Sequence, residues 1–243
     1  MRNVVITGGS RGLGLAIAKR LAASGYGAIA VARKESAQLA AAIAETGNDA
    51  CAIRFVPFDL HDVDAIPRFV AKLRKNFGPI YGLVNNAALG SDGALSLMHN
   101  ARIGELIHLN TLSPIVFTKY AVRTMMADGG GRVVNVASIV AFTGYGGLSV
   151  YAATKASIIG FTRSLAREVG RMGVNVNAVA PGFLDTDMTQ GLADTQRAQI
   201  ARRSALRKLP AVGDIAEAVE FLLGDRSASI TGTVLTVDAG STA

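Results

Sequence analysis

The sequence predicts an α/β protein: a Rossmann-type doubly wound parallel sheet forming a single domain. Three observations predict it. β-rich apolar runs alternate with helical patterns from end to end, those runs are apolar at nearly every position, and glycines crowd the first turn between a run and a helix. Strict β/α alternation is the pattern of parallel sheets wound with helices on both faces. A strand covered on both faces has no reason to alternate polar with apolar residues.

The expected strands, in order, are Asn3–Thr7, Ala28–Ala32, Cys51–Val56, Ile80–Asn85, Gly131–Ala137, Val174–Ala180 and Thr233–Val237. Each is a short run rich in Val, Ile and Ala. Between them the apolar spacing turns helical at Gly14–Ala23, Ser36–Glu45, Val63–Asn76, Ile103–Met126, Tyr151–Glu168 and Asp214–Leu223. The chain, 1–243, shows no internal repeat, linker or second domain. One segment breaks the rhythm: Phe183–Leu209 is polar and helix-prone, inserted between the last two strands, which suits a mobile lid.

Composition excludes several classes. Half of the 243 residues are hydrophobic and 18% are charged, which is material for a core and not for a disordered chain. No apolar run is long enough to span a bilayer, and a strand pattern begins almost at Met1, leaving no room for a signal peptide. A lone cysteine, Cys51, cannot form an internal disulfide and fits a reducing cytoplasm. His61, His99 and His108 have no partners at metal-ligand spacing, so no metal site is expected. The net charge of +7 is spread with no Lys/Arg block longer than two, and aromatics are only 6%, which speaks against nucleic-acid binding. It reads either as a basic surface or as steering of an anionic small molecule.

The glycines have a chemical use. In "TGGSRGLG" (Thr7–Gly14), Gly8 allows a tight turn out of the first strand. Gly12 keeps no side chain between the backbone and a pyrophosphate, and Gly14 lets helix and sheet pack closely. The helix N-terminus then offers unpaired N–H groups and a positive dipole end to phosphates.

This turn resembles the cofactor turn of the short-chain dehydrogenase/reductase family. Further motifs follow in that family's order: "NNAA" (Asn85–Ala88), Asn110 in "HLN", Ser138 after the fifth strand, "YAATK" (Tyr151–Lys155) and Pro181-Gly182. The resemblance covers nearly the whole chain. Within the family, "APGFLDTDMT" and "ITGTVLTVDAG" most resemble bacterial 3-oxoacyl-acyl-carrier-protein reductases.

Tyr151 and Lys155, four apart, share one helix face. A phenol titrates near 10, and a nearby ammonium favours its ionised form, which brings the tyrosine toward general acid/base work. Ser138, ending a strand, can polarise a substrate carbonyl through its hydroxyl. The resemblance implies that Tyr151 is the proton donor, that Ser138 orients substrate and that Lys155 also binds the nicotinamide ribose. It implies that Asn110 holds the lysine's relay water.

The resemblance also implies that Gly8, Ser10, Arg11, Gly12, Leu13 and Gly14 contact the cofactor. The second strand ends on Ala32, followed by Arg33, where an acidic residue would repel a 2′-phosphate. With Arg11 able to reach the same region, paired guanidinium donors favour NADP(H) over NAD(H). In the likeness of the family, Asp59 hydrogen-bonds adenine with Leu60 beside it. Asn86 and Ala87 wall the adenosine and ribose, and Pro181, Gly182 and Thr186 close on the nicotinamide.

Two departures stand out. Ala88 replaces the glycine of Asn-Asn-Ala-Gly. Asp128 with three glycines, and Met172 beside Arg171, stand where carrier-protein reductases often carry basic residues. The expected function is NADPH-dependent reduction of a ketone, foremost a 3-oxoacyl thioester, by a cytoplasmic enzyme. The resemblance makes it a homotetramer. The rivals are an NADP-dependent dehydrogenase of a free alcohol, sugar or polyol, and a nucleotide sensor without turnover.

Overall fold

The structure, a computed structural model, describes residues 1–47, 51–90, 93–184 and 194–243. The strands are β1 (Asn3–Thr7), β2 (Gly27–Ala32), β3 (Ile53–Pro57), β4 (Ile80–Asn85), β5 (Gly131–Val136), β6 (Val174–Pro181) and β7 (Val234–Val237). All pair in parallel, in the order β3-β2-β1-β4-β5-β6-β7. The order reverses between β1 and β4, and in a doubly wound sheet that switch point opens a crevice at the carboxyl ends of the strands.

The helices are α1 (Gly12–Ala23), α2 (Ala37–Thr46), α3 (Ile66–Phe77), α4 (Asn100–Ile107), α5 (Ser113–Ala127), α6 (Val140–Thr143), α7 (Ser149–Val169), α8 (Asp194–Arg203) and α9 (Val212–Leu223). Successive strand residues face opposite layers, as the pleat requires. Val4, Ile6, Ala28 and Ala30 pack with Ile17 and Leu21 of α1, Leu39 of α2, and Ile215 and Val219 of α9. Val5, Ile29 and Val31 pack with Phe69 and Leu73 of α3, Phe117 and Met125 of α5, and Val169 of α7. Each such large apolar side chain contributes about 1.5–3 kcal/mol by burial, so both layers lock the sheet from which the loops of the crevice project. No helix among the described residues is long and apolar enough to cross a membrane.

Most elements shift by one to three residues from the sequence reading, and three differences have a structural cause or add an element. The third helix starts at Ile66 and not Val63, because Pro67 sits at its first turn, where a missing N–H costs nothing. The span 103–126 is not one helix. A π-helical turn, His108–Leu112, separates α4 from α5. Pro114 has no N–H for the Asn110 carbonyl and its ring crowds that carbonyl, so the widened turn relieves a clash that an α-helix would suffer. The short α6 lies in a stretch where no helix was expected.

Candidate active site

The glycine turn joins β1 to α1. Gly8 donates its N–H to Val31 O at 2.8 Å, folding the turn over the end of β2. Gly12 has φ +54° and open space where a Cβ would stand, so its bare backbone faces outward. Gly14 is the opposite case: a Cβ there would run into the Gly8 carbonyl and the Asn86 side chain. Gly12 thus leaves its backbone open to approach, and Gly14 is held by close packing. Arg11 precedes α1, and no side chain caps the first-turn N–H groups of the helix. They are left directed into the crevice for an anion.

Asn86 secures this turn. Its Nδ2 donates to Thr7 O at 2.9 Å and to Gly8 O at 3.3 Å, while Thr7 Oγ1 accepts from the N–H groups of Asn86 and Ala87. The two segments that wall the switch point are therefore one hydrogen-bonded unit. Ser36, at the start of α2, adds a tie to the second strand: its hydroxyl donates to Ser10 O and accepts from the Leu39 N–H. Thr7 and Ser36 were missed in the sequence. A threonine before a glycine turn and a serine at a helix start were the available signals, and both are too common to single out.

Arg33 is exposed just beyond β2. Asp59, after β3, is half exposed and accepts from the His61 N–H at 3.0 Å. That hydrogen bond, more than His61's ring or the charge of Arg33, holds its carboxyl below the usual aspartate range. Leu60 is buried beside it, with its carbonyl fixed by the Ser113 hydroxyl. Leu13 packs against the first core layer.

The catalytic candidates meet on the same edge. Ser138 follows β5, and its Oγ accepts from the Val140 N–H at 3.4 Å. The Ser138 side chain is close enough to the Tyr151 hydroxyl to favour its ionised form. One turn further along α7, Lys155 is 4% exposed and donates from Nζ to Val136 O at 2.8 Å. Its Nζ stands 5.7 Å from the centre of the Tyr151 ring. Burial pushes Tyr151 up to about 12, only partly offset by the neighbouring Ser138 side chain, and pushes Lys155 down to about 8. The direction for Tyr151 is the reverse of what a phenol–ammonium pair alone gives, because the lysine's proton is directed to a carbonyl and desolvation dominates.

Asn110 is 2% exposed on the π-helical turn. Its Nδ2 donates to Leu89 O and Thr154 Oγ1, and its Oδ1 accepts from the Leu89 N–H at 2.8 Å. Both amide hydrogens are thus committed, and the residue clamps the segment after β4 to α7 within one turn of Tyr151. A buried polar ladder holds the same helix on the sheet: Asn85 bonds Thr118 and Asn135, and Asn135 bonds Thr162 of α7. Pro181, ending β6, accepts from the Ile139 N–H at 3.1 Å, and Gly182 lies against Asp238. The structure therefore brings Ser138, Tyr151, Lys155, Asn110 and Pro181-Gly182 to one edge with the glycine turn. Thr186 lies outside the described residues.

Residues 2–197 match the short chain dehydrogenase family. The chain belongs to that family. It is 39% identical over 236 residues to the 3-oxoacyl-[acyl-carrier-protein] reductase of Escherichia coli, covering 97% of this chain and 95% of that one. It is 40% identical to the Vibrio harveyi reductase of the same name, again over 97% and 95%. A human 3-oxoacyl-[acyl-carrier-protein] reductase is 39% identical over the same shares. A short-chain dehydrogenase is an oxidoreductase working with a nicotinamide cofactor, and the residues present fit one. The open space at Gly12 leaves room for a phosphate, and the packed Gly14 keeps the helix N-terminus close to the sheet.

Proposed function

We propose that this short-chain dehydrogenase reduces a 3-oxoacyl thioester with NADPH, with Tyr151 as the proton donor. The observation that carries the reading is Lys155, buried and fixed through Nζ to Val136 O, with the Tyr151 ring 5.7 Å from that ammonium one helical turn away. The nicotinamide supplies the hydride when bound. Ser138 and Tyr151 hydroxyls together hold the substrate carbonyl oxygen, and the oxygen takes its proton from Tyr151 as charge develops on it. Tyr151 is fully protonated at neutral pH, since its own titration lies near 12. Lys155 sets the charge beneath the phenol and reaches the nicotinamide ribose, while Asn110 holds the relay water that returns the proton. Asp59 and Leu60 take adenine, Asn86 and Ala87 the ribose side, and Pro181, Gly182 and Thr186 the nicotinamide. Arg33, exposed, and Arg11, beside the glycine turn, read the 2′-phosphate, which favours NADPH.

The names of the relatives support the 3-oxoacyl group. The protein carrier has less support, because Asp128 is engaged by Arg74 at 2.6 Å at one rim position and Met172 stands at the other, with exposed Arg171 beside it. Little preference for a carrier protein over coenzyme A is expected. Of the expected lid 183–209, residues 185–193 lie outside the described residues and 204–208 are tied to the loop after β7, so the polar α8 is the part that supports a cover for the site. Exposed Ile107 and Leu112 offer apolar surface for the contacts of a homotetramer in the cytoplasm. The test is NADPH oxidation with acetoacetyl-coenzyme A beside a sugar and polyol panel. Reduction of the thioester alone supports the reading, and turnover of polyols alone overturns it.

A further inference from the structure

Beyond α8 the chain makes a turn whose geometry is over-determined. Ser204, 3% exposed, accepts at Oγ from the Lys208 N–H at 3.2 Å, and its one hydroxyl hydrogen is shared between Ala201 O at 2.8 Å and Lys208 O at 2.9 Å. The Arg207 N–H reaches Ser204 O, and Arg207 itself sits at φ +52°, a left-handed conformation that a non-glycine residue adopts at a cost. The turn is also fastened from outside. Leu206 and Ala205 donate their N–H groups to Ala239 O and Gly240 O, in the loop after β7.

This rigid turn presents charge. Arg202, Arg203, Arg207 and Lys208 are all exposed, and Leu206 stands among them at 64% exposure. No Asp or Glu occurs between Asp194 and Asp214, and no carboxylate among the described residues pairs with Arg203, Arg207 or Lys208. Strain held at a fixed, unneutralised cationic turn needs a use.

Its position supplies one. A line of backbone hydrogen bonds runs along the carboxyl edge of the sheet from the catalytic serine to this turn. Ile139, next to Ser138, donates to Pro181 O; Gly182 donates to Val237 O; Leu206 donates to Ala239 O. The path crosses from β5 to β6, β7 and the turn, three steps of about 4.8 Å, or roughly 14 Å. In a phosphopantetheine thioester about thirteen bonds separate sulfur from phosphorus. At a residue's three bonds per ~3.5 Å, the extended arm spans roughly 15 Å.

We propose that Arg202, Arg203, Arg207 and Lys208 bind the phosphate of a phosphopantetheine arm whose acyl end lies at Ser138 and Tyr151. The inference rests on the thioester reading above and adds to it where the handle of the substrate is held. Guanidinium groups match phosphate oxygens with paired donors, and a turn that is already ordered loses little freedom on binding.

The test compares two thioesters that differ by the phosphate alone, acetoacetyl-pantetheine and acetoacetyl-4′-phosphopantetheine. The phosphorylated one is expected to have the higher kcat/KM, by on the order of tenfold, with an advantage that shrinks as salt rises. Replacing Arg207→Gly, which suits the left-handed backbone, together with Lys208→Gln should erase that advantage and leave acetoacetyl-pantetheine unchanged. Arg202→Gln with Arg203→Gln provides a second pair of losses away from the strained residue. Equal rates on both thioesters in the wild type, or equal slowing of both in the variants, overturns the proposal. Reduction of neither thioester by the wild type, with simple ketones still turned over, overturns the thioester reading instead.

Discussion

Lys155 donates to the carbonyl of Val136 at 2.8 Å, so its ammonium is anchored to the end of β5 and not to the Tyr151 hydroxyl. Its charge is held where water does not reach, and burial brings its titration down to about 8. Lys155 is thus largely charged below pH 7 and largely neutral above pH 9. Reduction should decline through this window, because the phenolate left after proton donation loses its supporting charge. The check is the pH profile of kcat for NADPH-dependent reduction. A plateau extending to pH 10 would remove Lys155 from this role.

The same burial makes a stability prediction. Between about pH 8 and the ordinary 10.5 the folded protein binds fewer protons at Lys155 than the unfolded chain, so through this residue stability rises as pH rises. Lys155→Met should therefore stabilise the fold at pH 7 by about 1–3 kcal/mol, after the lost Val136 hydrogen bond is counted, and activity should be lost. The gain should shrink at pH 10. Denaturant titration at the two pH values checks both statements.

Arg33→Ala should weaken NADPH binding by about 1.5–3 kcal/mol and leave NADH nearly unchanged, since one charge-assisted phosphate contact is removed. Equal weakening of both cofactors, read by titration of cofactor fluorescence, would make Arg33 a structural residue.

The two turn glycines should respond differently to the same substitution. Gly14→Ala drives a methyl into the Gly8 carbonyl and the Asn86 amide, so the fold itself should lose several kcal/mol. Gly12→Ala meets open space and carries only the backbone penalty of φ +54°, about 1 kcal/mol, while cofactor affinity falls. Thermal unfolding with and without NADPH separates the two.

The sheet was legible because parallel, two-sided burial leaves continuous apolar runs, and six of its strands begin within one residue of their expected starts while β3 starts two residues late. The candidate catalytic residues were picked out by their order along the chain, and the structure gathers Ser138, Tyr151, Lys155 and Asn110 on one edge of the sheet. The π-helical turn at His108–Leu112 was not, because apolar spacing around it still reads as helix. Only Pro114, through the carbonyl four residues earlier, marks it. The Asn86–Thr7 staple and the direction of the Tyr151 shift were also hidden, since both depend on contacts between segments far apart in sequence.

The central claim is that Tyr151 gives the proton. Tyr151→Phe deletes only the hydroxyl and keeps the ring that packs beside Lys155. The decisive measurement is turnover of acetoacetyl-coenzyme A by this variant, with NADPH affinity measured on the same preparation. A loss of about 10²-fold or more in kcat at near-wild-type NADPH affinity is the expected result, as a positioned acid contributes 10²–10⁴. Turnover within a few-fold of wild type, with NADPH bound as before, would contradict the account.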